Sequence, residues 1–199
     1  MLSLLVLFAL AQPRGFDSVV SWEKVSEDDG LALEMRAVAT SSSPEYRITA
    51  KTQVSVAALC EQVFEWGTRG KDVPGLKARK ELASAPDERV VYDQFEAPIV
   101  SNRDYAVTVR RARGADGVCR IRYWATNELA PKKPEGWVRL DQLWGSWTFT
   151  PREGHTELVY TQFSDPGGSI PATLANGSQR DRALQSVRMA IAKGKAAGK

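Results

Sequence analysis

The chain is expected to be an α+β domain in which a curved antiparallel sheet wraps one long C-terminal helix. Three observations carry this expectation. Short runs that alternate apolar with polar residues recur along most of the chain, one amphipathic helical stretch interrupts them after the third, and a longer helical stretch closes the chain.

The alternating runs 19–25 and 31–38 flank the turn Asp28-Asp29-Gly30 and read as a hairpin. The run 46–54 alternates likewise and ends at Ser55, a residue type that caps helix starts. Beyond it Val56, Leu59, Cys60, Val63, Phe64 and Gly67 fall at helical spacing, giving one amphipathic helix of about three turns. Gly70, Pro74 and Gly75 then predict loop with short helical pieces over 67–82. Strand signals return over 89–95, 104–111, 118–125, 137–143, 146–150 and 157–163, each bounded by Gly, Pro or charged turns. A series of strands without intervening helices makes a bent antiparallel sheet, not βαβ units.

The turn cluster Asp165-Pro166-Gly167-Gly168 and then Ile170-Pro171 lead into a helix to about residue 192. Proline suits its first turn, where an amide proton has no intrahelical partner. Leu174, Gly177, Leu184, Val187 and Ile191 mark its inner stripe, and Asp181 beside them reads as a solvated helix residue. The cationic tail 194–199 is expected to fray.

With 199 residues, 43% hydrophobic and 26% charged, the chain fits one domain, placed at 16–193, with a substantial core. The formal charge of +3 is spread among acids, which argues against nucleic-acid binding but would suit transient contact with an anionic membrane surface. The sole histidine, His155, sits in a turn, and Cys60 and Cys119 read as small buried apolar residues. Metal sites and Ser-His or Cys-His catalysis therefore have little material, and no metal or cofactor is expected. Residues 1–11 are an apolar run ending in Ala9-Leu10-Ala11, too short to span a bilayer. They predict an export signal and a periplasmic or secreted protein. No Lys or Arg precedes the run, so the alternative is a cytoplasmic chain with a buried first segment.

Four segments, in order, carry a family likeness: Val90-Val91-Tyr92, then Ser101-Asn102-Arg103-Asp104-Tyr105, then Gly136-Trp137-Val138-Arg139, and finally the stretch from Phe163 through Asp165-Pro166-Gly167-Gly168 to Ile170-Pro171. Together they resemble the START (StAR-related lipid transfer) domains, as a bacterial-type single-domain member nearest in motif to the phosphatidylcholine transfer branch. The resemblance implies a helix-grip fold of the START and Bet v1 kind, acting as a monomer, with a tunnel between sheet and C-terminal helix for one lipid, sterol or other apolar molecule. It also leaves an alternative, an enzyme of the aromatase/cyclase type. The sequence offers that alternative no convincing catalytic set beyond Asp93 with Tyr105.

The likeness also assigns polar positions. Those matching the family's choline cage read Asp93, Tyr105 and Leu143, so one ring of the cage remains, while Arg69 keeps a phosphate-facing cation. Asp93 also matches the acid of sterol carriers, but the position of its basic partner reads Val109. Asp93 is thus expected to stand unpaired in the cavity, costly unless protonated, hydrated or bonded to a ligand hydroxyl. Strand parity puts Tyr105, Val107 and Val109 inward, and Tyr123 as well, because Arg120 and Arg122 claim the opposite face. Trp147 and Phe149 share the parity of Leu143, and Leu174 completes the expected lining from the closing helix. Arg103-Asp104 is read as a charge pair tying sheet to loop, and Trp22 and Trp144 as core.

Overall fold

The computed structural model describes residues 20–73, 75–96, 101–168 and 172–197, with the side chains of 172–175 left out. The expected export signal lies outside the described residues.

Ten strands and two long helices follow in the order β1 (Glu23–Asp28), β2 (Leu31–Arg36), β3 (Glu45–Thr52), α1 (Val56–Arg69), β4 (Leu76–Ala85), β5 (Glu88–Phe95), β6 (Arg103–Arg113), β7 (Cys119–Ala125), β8 (Val138–Arg139), β9 (Leu143–Arg152), β10 (His155–Ser164) and α2 (Ala172–Ala197). The sheet runs β1-β2-β3-β10-β9-β7-β6-β5-β4, antiparallel at each step, with β8 alongside β6 in parallel. This is the expected helix-grip architecture: a curved antiparallel sheet and a long closing helix.

Three elements differ from expectation. The stretch 67–82, whose glycines and proline predict loop, is strand β4 in its second half. Its sequence, Leu-Lys-Ala-Arg-Lys-Glu-Leu-Ala-Ser-Ala, is mostly exposed and bulged twice against β5, so it carries no clean alternation. Charged side chains and bulges are what an edge strand tolerates. The runs 137–143 and 146–150 divide differently, into the two-residue β8 and the long β9. The tail is helical as far as Ala197, because Gly194 seats α2 on α1: a Cβ there would lie 2.7 Å from Val54 Cγ1.

Helix α1 starts where Ser55 Oγ accepts from the Ala58 amide at 3.3 Å. Its inner face, Leu59, Cys60, Val63 and Phe64, is buried against the sheet. Cys60 and Cys119 form a disulfide between α1 and β7, correcting their reading as separate apolar residues. Sequence spacing could not show this, because the two meet only once α1 lies on β7. At the seam between α1 and the sheet, Arg89 and Arg111 stack on the Phe64 ring at 4.5 and 4.2 Å and pair with Glu65 and Glu61 at 2.6 and 2.7 Å. Trp144 packs with Trp124 and Phe163 in a second, smaller core. Trp22 is not core but is clamped between the Arg36 and Arg47 guanidiniums, each 4.5 Å from its ring.

Candidate functional site: an internal cavity

Between the inner face of the sheet and α2 lies a cavity of about 530 Å³. Its floor is apolar, formed by Val107, Val109, Ile121, Leu140, Leu143 and Trp147 from the strands and the segment before β9. Its roof is α2, which presents mostly polar groups: Ser178, Gln179, Arg182, Gln185 and Ser186. Period-two alternation explains the floor, since every second residue of β6, β7 and β9 faces inward.

Of the expected site residues, Asp93, Tyr105, Val107, Val109, Tyr123, Leu143 and Trp147 line this cavity. Phe149 does not. It has the right parity but lies opposite Cys119, under α1, and is wholly buried in the core. Arg69 points away as well: it is exposed in the last turn of α1 and pairs with Glu65 at 3.4 Å and Glu81 at 3.2 Å. Leu174 falls on α2, but its side chain is outside the described residues.

Asp93 is not the lone acid expected. Arg79 of β4 sits opposite it in the ladder and holds it bidentately, Nε to Oδ1 at 2.7 Å and Nη2 to Oδ2 at 2.6 Å. The same guanidinium donates to the Trp66 and Gly70 carbonyls at 3.1 and 3.0 Å, so it also satisfies the end of α1. Burial pushes the Asp93 carboxyl above its ordinary range while Arg79 pulls it back. This basic partner comes from β4, whose charged, bulged sequence predicts loop and gives no sign of an inward face.

Arg103 and Asp104 are not paired with each other, since neighbours on a strand face opposite ways. Asp104, wholly buried, accepts from Arg139 and from the Tyr92 hydroxyl at 2.8 Å. Arg103 lines the cavity instead and donates to the carbonyls of Ser101 and, at 3.3 Å, Pro166.

Three phenols face the interior. The Tyr123 and Tyr160 hydroxyls are 3.1 Å apart, and Tyr160 donates to Gln162 Oε1 at 2.9 Å. The Tyr160 ring stacks on Trp147, centroids 3.9 Å apart. Tyr123 reaches Tyr160 only because position 145 is glycine, where a Cβ would collide with its hydroxyl. Tyr105 stacks on Phe95 at 5.6 Å, and its hydroxyl has no hydrogen-bond partner among the described residues. Tyr160 and Gln162 went unforeseen; the alternation of β10 would have shown the first.

Burial pushes the Tyr160 phenol up to about 12 and Tyr105 higher still, and it raises Tyr123 well above the ordinary phenol range. An unfolded tyrosine ionises near 10, so each phenol contributes stability that is complete below pH 10 and lost as pH rises toward the folded value. For Tyr160 alone the loss is on the order of 3 kcal/mol between pH 10 and 12. Urea unfolding is expected to show a steep fall in stability over that interval, reduced in Tyr160→Phe.

Among the described residues no group of three potential metal ligands occurs, and no helix is long and apolar enough to cross a membrane.

No family model matches the chain. An uncharacterized protein of Pseudomonas aeruginosa is 26% identical over 171 residues, covering 84% of this chain and 83% of that protein. Among solved structures, a STAR-related lipid transfer protein from Xanthomonas axonopodis superposes with a TM-score of 0.76 at 23% identity, over 87% of this chain and 98% of that one. Human StAR-related lipid transfer protein 5 superposes with a TM-score of 0.76 at 17% identity, over 93% of this chain and 91% of its own. The fold is therefore that of the STAR-related lipid transfer domains.

Proposed function

We propose, starting from that fold, that the chain binds one apolar molecule, a single-chain lipid or a sterol, under α2 and carries or senses it without altering it. The observation that carries this reading is the 530 Å³ cavity with an apolar floor. At roughly 30 Å³ for a group the size of a water or a methylene, that space suits one acyl chain or one sterol skeleton and falls short of a two-chain phospholipid. Each methylene kept out of water by such a floor is worth about 0.8 kcal/mol, which offsets what the same chain gives up on leaving a bilayer, so the protein can carry it through water from a membrane that it touches transiently.

The same proposal places a monomer in an oxidising compartment. The Cys60–Cys119 bond favours that setting and fits an export signal at 1–11.

An enzyme of the aromatase/cyclase type would need a free base at the cavity. Both oxygens of Asp93 are held by Arg79, and the raised phenols stay protonated at neutral pH. These observations favour the carrier over the catalyst.

Native mass spectrometry of protein purified from its own host, followed by organic extraction, is expected to recover one apolar molecule per chain, unchanged. An empty protein that takes up no lipid from vesicles would overturn the reading.

A further inference from the structure

Among the described residues, two guanidiniums, of Arg103 and Arg182, reach this cavity with no carboxylate to neutralise them. Arg103, 8% exposed, donates among the described residues to two carbonyls, of Ser101 and Pro166, which leave its charge unneutralised. Arg182, exposed on α2, lines the same cavity, and among the described residues it has no acidic partner.

The acids around them are engaged. Asp93 is held by Arg79 and Asp104 by Arg139, while Glu96 pairs with Lys77 at 2.7 Å and Asp181 with Arg180 at 3.1 Å. Asp165 Oδ1 accepts the Gly167 amide at 2.9 Å.

The geometry brings three donors to one end of the cavity. A Cβ at Gly75 would lie 4.0 Å from Arg182 Nη2 and 3.7 Å from the Phe95 ring, and that ring stacks on Tyr105. Burial and the nearby Arg182 charge both hold the Arg103 guanidinium below its usual range, so the two cations feel each other. Like charges at the edge of an apolar space are unfavourable until an anion enters between them.

We propose that Arg103 and Arg182, with the unpartnered Tyr105 hydroxyl beside them, receive the anionic head of a single-chain lipid whose tail lies along Val107, Val109 and Trp147. The head is a carboxylate or a phosphate monoester. This assignment rests on the lipid-binding reading and sharpens it to acidic lipids.

Calorimetric titration of delipidated protein with oleate, 1-oleoyl-lysophosphatidate and oleyl alcohol tests it. Charge-assisted hydrogen bonds predict at least one of the two acids binding about tenfold or more tighter than the alcohol, with an affinity that falls as salt is raised. Arg182→Gln, an exposed position whose change spares the core, is expected to remove most of that advantage, weakening the acids about tenfold more than the alcohol. Which acid binds tighter identifies the head. Equal binding of all three, or an equal loss for all three in Arg182→Gln, overturns the anionic site and leaves lipid binding intact. Binding of none overturns the lipid-binding reading with it.

Discussion

Replacing Asp93 with alanine is expected to destabilise the fold by about 3–5 kcal/mol, the usual penalty for removing one half of a buried ion pair. The Asp93 and Arg79 side chains are 2% and 10% exposed, so the guanidinium left behind is largely shielded from bulk water. It would retain the Trp66 and Gly70 carbonyls, which satisfy donors without neutralising the charge. Arg79→Ala is expected to do at least as much damage, since it also strips the end of α1. The double variant Asp93→Leu with Arg79→Met removes both charges, and replacing a buried pair with apolar groups is often neutral. Urea unfolding of the wild type, Asp93→Leu, Arg79→Met and the double variant as a double-mutant cycle checks this, with the double variant expected to recover most of the loss that either single change causes. A double variant as unstable as the sum of the singles would show that the two charges do not act as a pair.

Opening the disulfide is the second large effect. Cys60 and Cys119 are 59 residues apart, and the chain-entropy model gives about 4 kcal/mol for closing a loop of that length. The bond also fixes α1 over the part of the sheet that holds Phe149, so its loss would loosen the wall next to the cavity. Thermal unfolding of the wild type is expected to shift down in reductant, while Cys60→Ala with Cys119→Ala unfolds at one lower temperature with or without it. An unchanged wild-type midpoint in full reductant would show that the bond adds nothing.

Sequence reading was strong where a strand is half-buried and weak where contacts depend on packing. Residues Tyr105, Val107 and Val109 announce an inward face because Thr108 and Arg110 oppose them, and the cavity floor follows. Strand β4 announces nothing, being charged and exposed, and with it went Arg79. The disulfide and the covering of Phe149 share one cause, the docking of α1 on β7 and β9, which no local pattern encodes. The cavity-facing residues of α2 were hidden differently: a helix read by its apolar stripe does not reveal that its polar side looks inward.

That polar underside has a further consequence. Seryl hydroxyls and glutamine amides above the cavity offer water the two to four partners it needs, whereas the floor below offers few. A vacant cavity under such a roof is wet above and dry below. An arriving molecule therefore displaces water from the roof first, and whatever polar groups it carries must replace those hydrogen bonds. Selectivity then lies with the polar groups of the helix and with Arg103 and Tyr105 at its edge, while the floor accepts any hydrocarbon of the right length.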